Sequence, residues 1–484
     1  MSINPPAKPL TLKDYKSDLH NDWCPGCLAP EALVVLADGA KKPIRDVAVG
    51  ELILGHDGKP HRVTEVMSHW HPDTMQKLVV RFLGSIVLTA DHPVYRAVPS
   101  GSGTYDYEWT PAGAMRSGDL IATPATALER SREPAIAITQ VAVLERLVGD
   151  VARPVPYVLL SVESNEVVGY NGFVHNLEVE DVHSYVTEQG ALHNCGDFGI
   201  LTGIQMALQQ LQIEPDKLAV YSGIGCSGKT PHYINGYGFH TLHGRVLTVA
   251  TGGRLANTDL TVLALGGDGD GYGIGAGYFV GAGRRNADFA YIVHNNNVYG
   301  LTKGQASPTL SKGKKTKSMP EQAIQDGINP VAMAIASGYT FIARAYALEP
   351  KYLASIIGRA IKHRGSALVD VLQTCPTYND LYTKEWYEGA DLPEKRSRLY
   401  KLEDKGYDGK VQNPTDEQEM IAKKAAAVAR SYEADPIPIG VYYEVELPTY
   451  EDAVFQRIPA LGEKPLVEQD VFHRDVTSLL EAMR

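Results

Sequence analysis

A chain of 484 residues is too long for one ordinary core and leaves room for two or three domains. With 44% hydrophobic and 21% charged residues it has the makeup of a folded protein, not of a disordered one. Its 46 basic against 57 acidic residues, net −11, exclude a nucleic-acid binder that works by charge, and no apolar run approaches the roughly 20 residues of a membrane helix.

The first residues, MSINPPAKPLTLKDYKSD, show no basic start leading into an apolar stretch. Five cysteines are too few, and an odd number, for a secreted disulfide framework. A cytoplasmic protein with neither nucleic acid nor membrane as partner is the expectation. From about Cys27 to Asn194 the chain reads as short β runs: LVVLADG, LILGHDG, HRVTEVMSHW, KLVVRFL, SIVLTADH, YVLLSVES and SYVTEQG. Gly, Pro and Asp-Gly turns part them, as in an all-β unit. This segment holds 13 Lys and Arg against 21 Asp and Glu, and only four of the 13 are Lys. A composition of its own marks it as an insertion.

From Gly196 the texture changes. Ile200, Ile204, Leu208 and Leu211 fall on one helical face. LAVYSGIG, TVLALGGDGDG, FAYIVHNNN and SALVDVLQTC read as strands buried on both faces, with helices such as YLASIIGRAIKHRG between them. The predicted class is α/β, a parallel sheet interrupted by the all-β unit. From about Pro393 the chain is polar and tyrosine-containing, with a helical AKKAAAVARSYEA stretch and no legible chemistry.

In open parallel sheets ligands bind outside the carboxyl ends of the strands. The unusual residues collect at such ends: Cys226-Ser227-Gly228-Lys229, Asp268-Gly269-Asp270, Asn295-Asn296-Asn297 and Cys375. Asp268 and Asn296 offer the hard oxygens that Mg2+ prefers, and the glycines beside Asp268 let the backbone approach phosphates. GDG followed by paired asparagines, with 28 positions from Asp268 to Asn296, resembles the thiamine diphosphate fingerprint.

GIGCSGK, FHTLHGR, GGDGDGYGIGAGYFVGAGRRN, NNNVYGLTKGQASPT and VLQTCPTYND together resemble the β subunits of 2-oxoacid:ferredoxin oxidoreductases, from about Gly196 to about Tyr387. The resemblance implies a thiamine diphosphate-binding fold. Asp268, Asn296 and the carbonyl of Val298 would hold Mg2+. Ile224, Gly225, Cys226, Ser227, His240, Thr241, Leu242, His243, Gly269, Asp270, Gly300 and Leu301 would contact thiamine diphosphate, with Lys229 near the substrate end. It also implies one [4Fe-4S] cluster on four cysteines, two of them in a Cys-Pro-x-Cys run near the N-terminus, with Cys226 and Cys375 where expected. The implied activity is coenzyme A-dependent oxidative decarboxylation of a 2-oxoacid to acyl-CoA and CO2, with electrons passed to ferredoxin. An α, or fused γ/α, subunit would complete the site. A non-redox thiamine decarboxylase or synthase carrying a structural insertion is the alternative, but it has no use for the four cysteines.

At the N-terminus, WCPGC runs into LAPEALVVLADG where the family continues with GDFGI, and GDFGI appears at residues 196–200, after Cys195. A segment that begins at Cys27 and ends in His193-Asn194 before Cys195 resembles an intein. So do the Thr-x-x-His block with Thr89, Asp91 and His92, and the closing NLEVEDVHSYV and ALHN. The resemblance implies a horseshoe-shaped all-β Hint fold that removes itself. Cys27 would attack the carbonyl of Gly26 while His92 protonates the departing nitrogen and Thr89 orients the peptide. Cys195 would take over the acyl group, and Asn194 would cyclise with His193 and His183 as proton carriers. The closing block has His175-Asn176 where many inteins have Tyr-Asp, and no homing-endonuclease motif follows His92.

The implied domains are an N-terminal extein segment (1–26), an intein of 168 residues (27–194) and a thiamine diphosphate and cluster domain with a C-terminal extension (195–484). The spliced chain of 316 residues would keep Cys24, Cys195, Cys226 and Cys375 for the cluster. In the precursor, Gly26, Cys27, Asn194 and Cys195 are expected to converge, with His92 and His183 nearby. An ordinary β insertion, serving regulation or the binding of another subunit, is the plainer reading of the same segment.

Overall fold

The computed structural model describes residues 8–17, 27–101, 104–124, 141–142, 157–179, 184–193, 195–316, 318–389, 391–394 and 396–470, with Thr477 and Glu481. No helix among them is long and apolar enough to cross a membrane. Of the residues singled out above, Cys24, Gly26, His183 and Asn194 lie outside the described residues, and so does the side chain of His193.

The second half of the chain is built on a mixed sheet of eight strands. Six are parallel, in the order Tyr237–His240, Leu218–Ser222, Thr261–Gly267, Phe289–Asn295, Ser366–Leu372 and Phe341–Tyr346. Every residue of Phe289–Asn295 and Ser366–Leu372 is buried, which is why these runs carry no polar alternation. Helices Gly196–Leu211 and Pro350–Lys362 cover one face through Ile200, Ile204, Leu208, Leu353 and Ile357. Helices Val246–Ala256, Ala276–Arg285 and Pro330–Ser337 cover the other through Val246, Ala250, Phe279 and Ala334. From Leu218–Ser222 the chain adds Tyr237–His240 on one side and then Thr261–Gly267 on the other. That reversal opens a crevice at the carboxyl ends of the strands.

The polar C-terminal region is part of this sheet. Ile437–Glu444 runs antiparallel to Phe341–Tyr346, and Leu399–Lys401 extends the sheet beside it. Helix Glu417–Ser431, capped by the Asp416 carboxylate, packs Ala427 into the core. Its largely polar surface hid this attachment in the sequence.

Every described strand pair between Leu33 and His193 is antiparallel. The 13-residue strand Tyr157–Gly169 pairs by its first half with Leu120–Pro124 and by its second with Thr74–Val80, across a register shift near Val162. One long bent strand thus joins two parts of the sheet, as a curved half-barrel requires. Leu28, Val34, Ile53, Leu78, Leu88, Leu177 and Tyr185 fill its core. Met67 from this unit packs into the core of the α/β unit.

Candidate functional site

The crevice holds a cavity of about 220 Å³ between the loops that follow Ser222, Gly267 and Asn295. Ile224, Gly225, Cys226, Ser227, His243, Gly269, Asp270, Gly300 and Leu301 line it, together with Asp268, Asn296 and Val298. The sequence did not single out His294 and Tyr299, which also line it. His240, Thr241, Leu242 and Lys229 do not line it. The carbonyl of Gly228 and the Ser222 hydroxyl both lie 3.0 Å from His240 Nδ1, and Thr241 binds the Ser222 carbonyl, so this pair fixes loops. Leu242 is 75% exposed at the surface.

Asp268 is buried at the end of Thr261–Gly267 and accepts hydrogen bonds from Ser307 and Thr309. Burial, with Asp370 adding, pushes its carboxyl up to about 6 against the pull of those hydroxyls and of the Gly269 amide. A buried carboxyl held so far above its ordinary range calls for a cation. Asn296 takes the Val298 amide on Oδ1 at 3.2 Å, and that oxygen keeps a second lone pair for a metal. Asp270 does different work: its Oδ1 accepts from Ile224 N at 3.0 Å, Gly244 N at 2.7 Å and His243 Nδ1 at 2.9 Å, tying three loops together. Burial raises the Asp270 carboxyl in spite of these donors. Gly223 is obligatory here, since a Cβ would lie 2.0 Å from Asp270 Oδ2.

Three buried polar atoms on residues that line the cavity have no hydrogen-bond partner among the described residues: Ser227 Oγ, Asp270 Oδ2 and His294 Nε2. Leaving such a group unsatisfied costs about 1–3 kcal/mol. Of these, Ser227 Oγ can donate to an anionic ligand, while the buried Asp268 carboxyl on the same cavity offers its oxygens to a metal ion that such a ligand would carry.

Cys195, Cys226 and Cys375 come together just behind this wall. Cys195 caps helix Gly196–Leu211, Cys226 packs against the same apolar cluster, and the Gly196 amide donates to the carbonyl of Thr374 at 3.3 Å. Burial pushes the Cys195 thiol well above its ordinary value, and Asp197, Cys375 and Cys226 push the same way. Cys375 is pushed up to about 11, chiefly by burial. Among the described residues, no three thiols all lie within 4.8 Å of one another. A single tetrahedral ion holds its sulfurs about 3.8 Å apart, given a metal–sulfur bond of about 2.3 Å.

In the β unit, residues 27–29 lie between two strands. Leu28 exchanges backbone hydrogen bonds with His175, and Ala29 N donates to the carbonyl of Val87. Cys27 and Thr89 are doubly joined: Cys27 N donates to Thr89 Oγ1 at 2.9 Å, and Thr89 N donates to the Cys27 carbonyl at 2.8 Å. The Thr89-x-x-His92 turn closes with His92 N on the Thr89 carbonyl. His92 is fully buried, its ring edge-on to Tyr185 at 6.4 Å. Leu192 pairs with Val94, which carries the His193 backbone toward Pro93 and His92.

Tyr185 is a residue of this centre that the sequence did not single out. Its hydroxyl donates to Asn176 Oδ1 at 2.7 Å, and burial, followed by the Cys27 thiol, pushes its phenol well above the ordinary value. It lies inside the closing block next to a predicted histidine, so the signal was present, but a tyrosine in a β run reads as core.

Among families, the one described as "Thiamine pyrophosphate enzyme, C-terminal TPP binding domain" matches residues 223–371. The family of the C-terminal part of the pyruvate ferredoxin oxidoreductase beta chain matches residues 375–457. The 2-oxoacid:ferredoxin oxidoreductase subunit beta of Saccharolobus solfataricus is 54% identical over 276 residues, which covers 56% of this chain and 87% of the relative. The structure of 2-oxoglutarate:ferredoxin oxidoreductase from Magnetococcus marinus, with 2-oxoglutarate, coenzyme A and succinyl-CoA bound, aligns with a TM-score of 0.51 at 31% identity, over 60% of this chain and 90% of that one. The MchDnaB-1 intein structure aligns at 22% identity with a TM-score of 0.22, over 34% of this chain and 99% of that one. The insertion is characterised by its own residues and strand pairings.

Proposed function

Since the chain belongs to the β subunits of the 2-oxoacid:ferredoxin oxidoreductases, we propose that it is the unspliced precursor of such a subunit. The α/β unit binds thiamine diphosphate with Mg2+, and residues 27–194 are an intein. The carrying observation is the Asp268 site: a buried carboxyl raised to about 6, beside three unsatisfied polar atoms on one cavity.

Asp268, Asn296 and the Val298 carbonyl would hold Mg2+, and Ser227 with the Ile224–Gly225 backbone would receive the diphosphate. Asp270 keeps those loops in register through its three donors. When bound, thiamine diphosphate supplies the carbanion chemistry by which a 2-oxoacid loses CO2. Cys24, Cys195, Cys226 and Cys375 would hold one [4Fe-4S] cluster, which would supply one-electron chemistry toward ferredoxin, and coenzyme A would be the acyl acceptor. Leu301, on the cavity wall, is more than half exposed, and so are Leu242 and Ile274 elsewhere on the surface, apolar area of the kind an α subunit would cover.

In the precursor, Thr89 fixes the amide of Cys27 while the Cys27 thiol adds to the Gly26 carbonyl. The amide bond breaks, the nitrogen takes a proton from His92, the proton given up by the Cys27 thiol restores the imidazole, and a thioester remains. Cys195 then displaces Cys27 from that carbonyl. Asn194 closes on itself and cuts the chain before Cys195, with His193 and His183 carrying protons. A shift from sulfur to nitrogen leaves Gly26 joined to Cys195 by a normal peptide bond.

Anaerobic assay of the spliced chain with its α partner, on a panel of 2-oxoacids, tests the activity, and iron analysis tests the cluster. About four iron per spliced chain is expected. Far less would favour a non-redox thiamine enzyme.

A further inference from the structure

We propose that the folded α/β unit restrains splicing by holding the Cys195 side chain in its own pocket, between Asp197 and Gln373. The proposal rests on the reading of Cys195 as the splicing nucleophile. The observation behind it is a one-way chain of hydrogen bonds. Val298 N donates to Asn296 Oδ1 at 3.2 Å, which leaves Asn296 Nδ2 to donate to Gln373 Oε1 at 3.3 Å. That contact fixes the Gln373 amide with its nitrogen toward Cys195, and Nε2 donates to Sγ at 3.7 Å. The Cys195 thiol in turn donates to Asp197 Oδ2 at 3.2 Å, while Asp197 Oδ1 lies 2.6 Å from His294 Nδ1. Every side-chain partner of Cys195 among the described residues therefore belongs to the α/β unit.

The backbone is docked as tightly as the side chain. A Cβ at Gly196 would lie 2.7 Å from Gln373 Cγ and 3.0 Å from the Thr374 carbonyl, so the junction sits against the end of strand Ser366–Leu372 at van der Waals contact. Gln373 is itself anchored, its amide donating to the carbonyl of Asn295 at 2.9 Å. Cys27 lies in a different nest, with Met75 and Val174 of the insertion.

Acyl transfer forms a bond from Cys195 Sγ to the Gly26 carbonyl carbon and breaks the bond from that carbon to Cys27 Sγ; the Cys195 proton ends on the Cys27 thiol. For this the Cys195 sulfur must leave both Asp197 and Gln373. The preceding step at Cys27 does not involve Cys195. The restraint therefore falls on the second step alone, and splicing is fastest before the α/β unit has closed around its own cysteine.

The test uses the full-length precursor and its Asp197→Ala and Gln373→Leu variants, mixed with dithiothreitol. Dithiothreitol releases the N-terminal segment from the Cys27 thioester in competition with Cys195. Mass spectrometry follows spliced and cleaved products. Loss of a hydrogen bond to a charged acceptor predicts a rise of about tenfold in the ratio of spliced to cleaved product for Asp197→Ala, and a smaller rise for Gln373→Leu. A merely structural role would lower both products together and leave the ratio unmoved. An unchanged or reduced ratio in both variants overturns the restraint while leaving the intein reading intact. If neither the unaltered chain nor the variants give any spliced or cleaved product, the intein reading fails and the restraint falls with it.

Discussion

The backbone amide of Cys27 donates to the hydroxyl of Thr89 at 2.9 Å, and the amide of Thr89 returns a hydrogen bond to the Cys27 carbonyl. The first residue of the insertion is thereby fixed on both sides of its own peptide unit. Thr89→Val leaves the Cys27 amide buried without its acceptor, at a cost of about 1–3 kcal/mol. Dithiothreitol-induced cleavage at Cys27 should slow by about tenfold or more, and a variant that cleaves at the original rate would remove Thr89 from the mechanism.

Tyr185 joins three parts of the same centre: its hydroxyl reaches Asn176, its ring meets His92, and the Cys27 thiol acts on its phenol. Tyr185→Phe should slow splicing several-fold with no change in strand pairing. Because Tyr185 and Asn176 act through one hydrogen bond, a double-mutant cycle with Asn176→Ala should show a coupling of about 1 kcal/mol in splicing rate. Additive effects would mean that the two residues act separately.

Asp268 governs the pH range of cofactor binding. Its carboxyl is raised from 3.8 to about 6, so the folded chain binds this proton more tightly than the unfolded chain does. Without cofactor, Asp268 stabilises the fold below about pH 4, and that contribution is lost as pH rises through about 6. On the proposed reading Mg2+ would restore it above that point by replacing the proton. The rise in melting temperature caused by Mg2+ with thiamine diphosphate should therefore be larger at pH 7 than at pH 5. Asp268→Asn should abolish both the rise and its pH dependence.

His363 makes the C-terminal extension acid-sensitive. Thr340 gives its single proton to Asn286 Oδ1 at 2.7 Å, so His363 Nε2 donates to Thr340 at 2.8 Å and Nδ1 keeps a bare lone pair. Burial pushes His363 down to about 4 against Glu444, while Lys410 adds to the fall. The contact from Nδ1 to Glu446 at 3.6 Å is therefore no ion pair at neutral pH. A depressed imidazole stabilises the fold fully above its ordinary 6.5, and that contribution is lost as pH falls toward about 4. Thermal unfolding between pH 7 and pH 5 should show a falling melting temperature, and His363→Gln should flatten the slope.

Most of the site was legible because its chemistry sits in short loops after strands. The GDG and NNNVYG runs named Asp268, Asn296 and Val298, and all three line the cavity. Ser307 and Thr309, which hold Asp268, escaped notice because a serine and a threonine in a loop ordinarily face water; only the fold turns them inward. The links from Asp197 to His294 and from Gln373 to Cys195 join residues 97 and 178 positions apart. No local pattern encodes such pairs. Strand Ile437–Glu444 reads IPIGVYYE, an apolar run with one charge, and it was overlooked because the polar segments before it set the reading of the whole C-terminal region.

The mass of the purified products tests the central claim most directly. Expression of the 484-residue chain should yield one product of 168 residues and one of 316, with Gly26 joined to Cys195, whereas Cys27→Ala should yield no 316-residue product. A wild-type chain that remains at full length, indistinguishable from Cys27→Ala, would contradict the account.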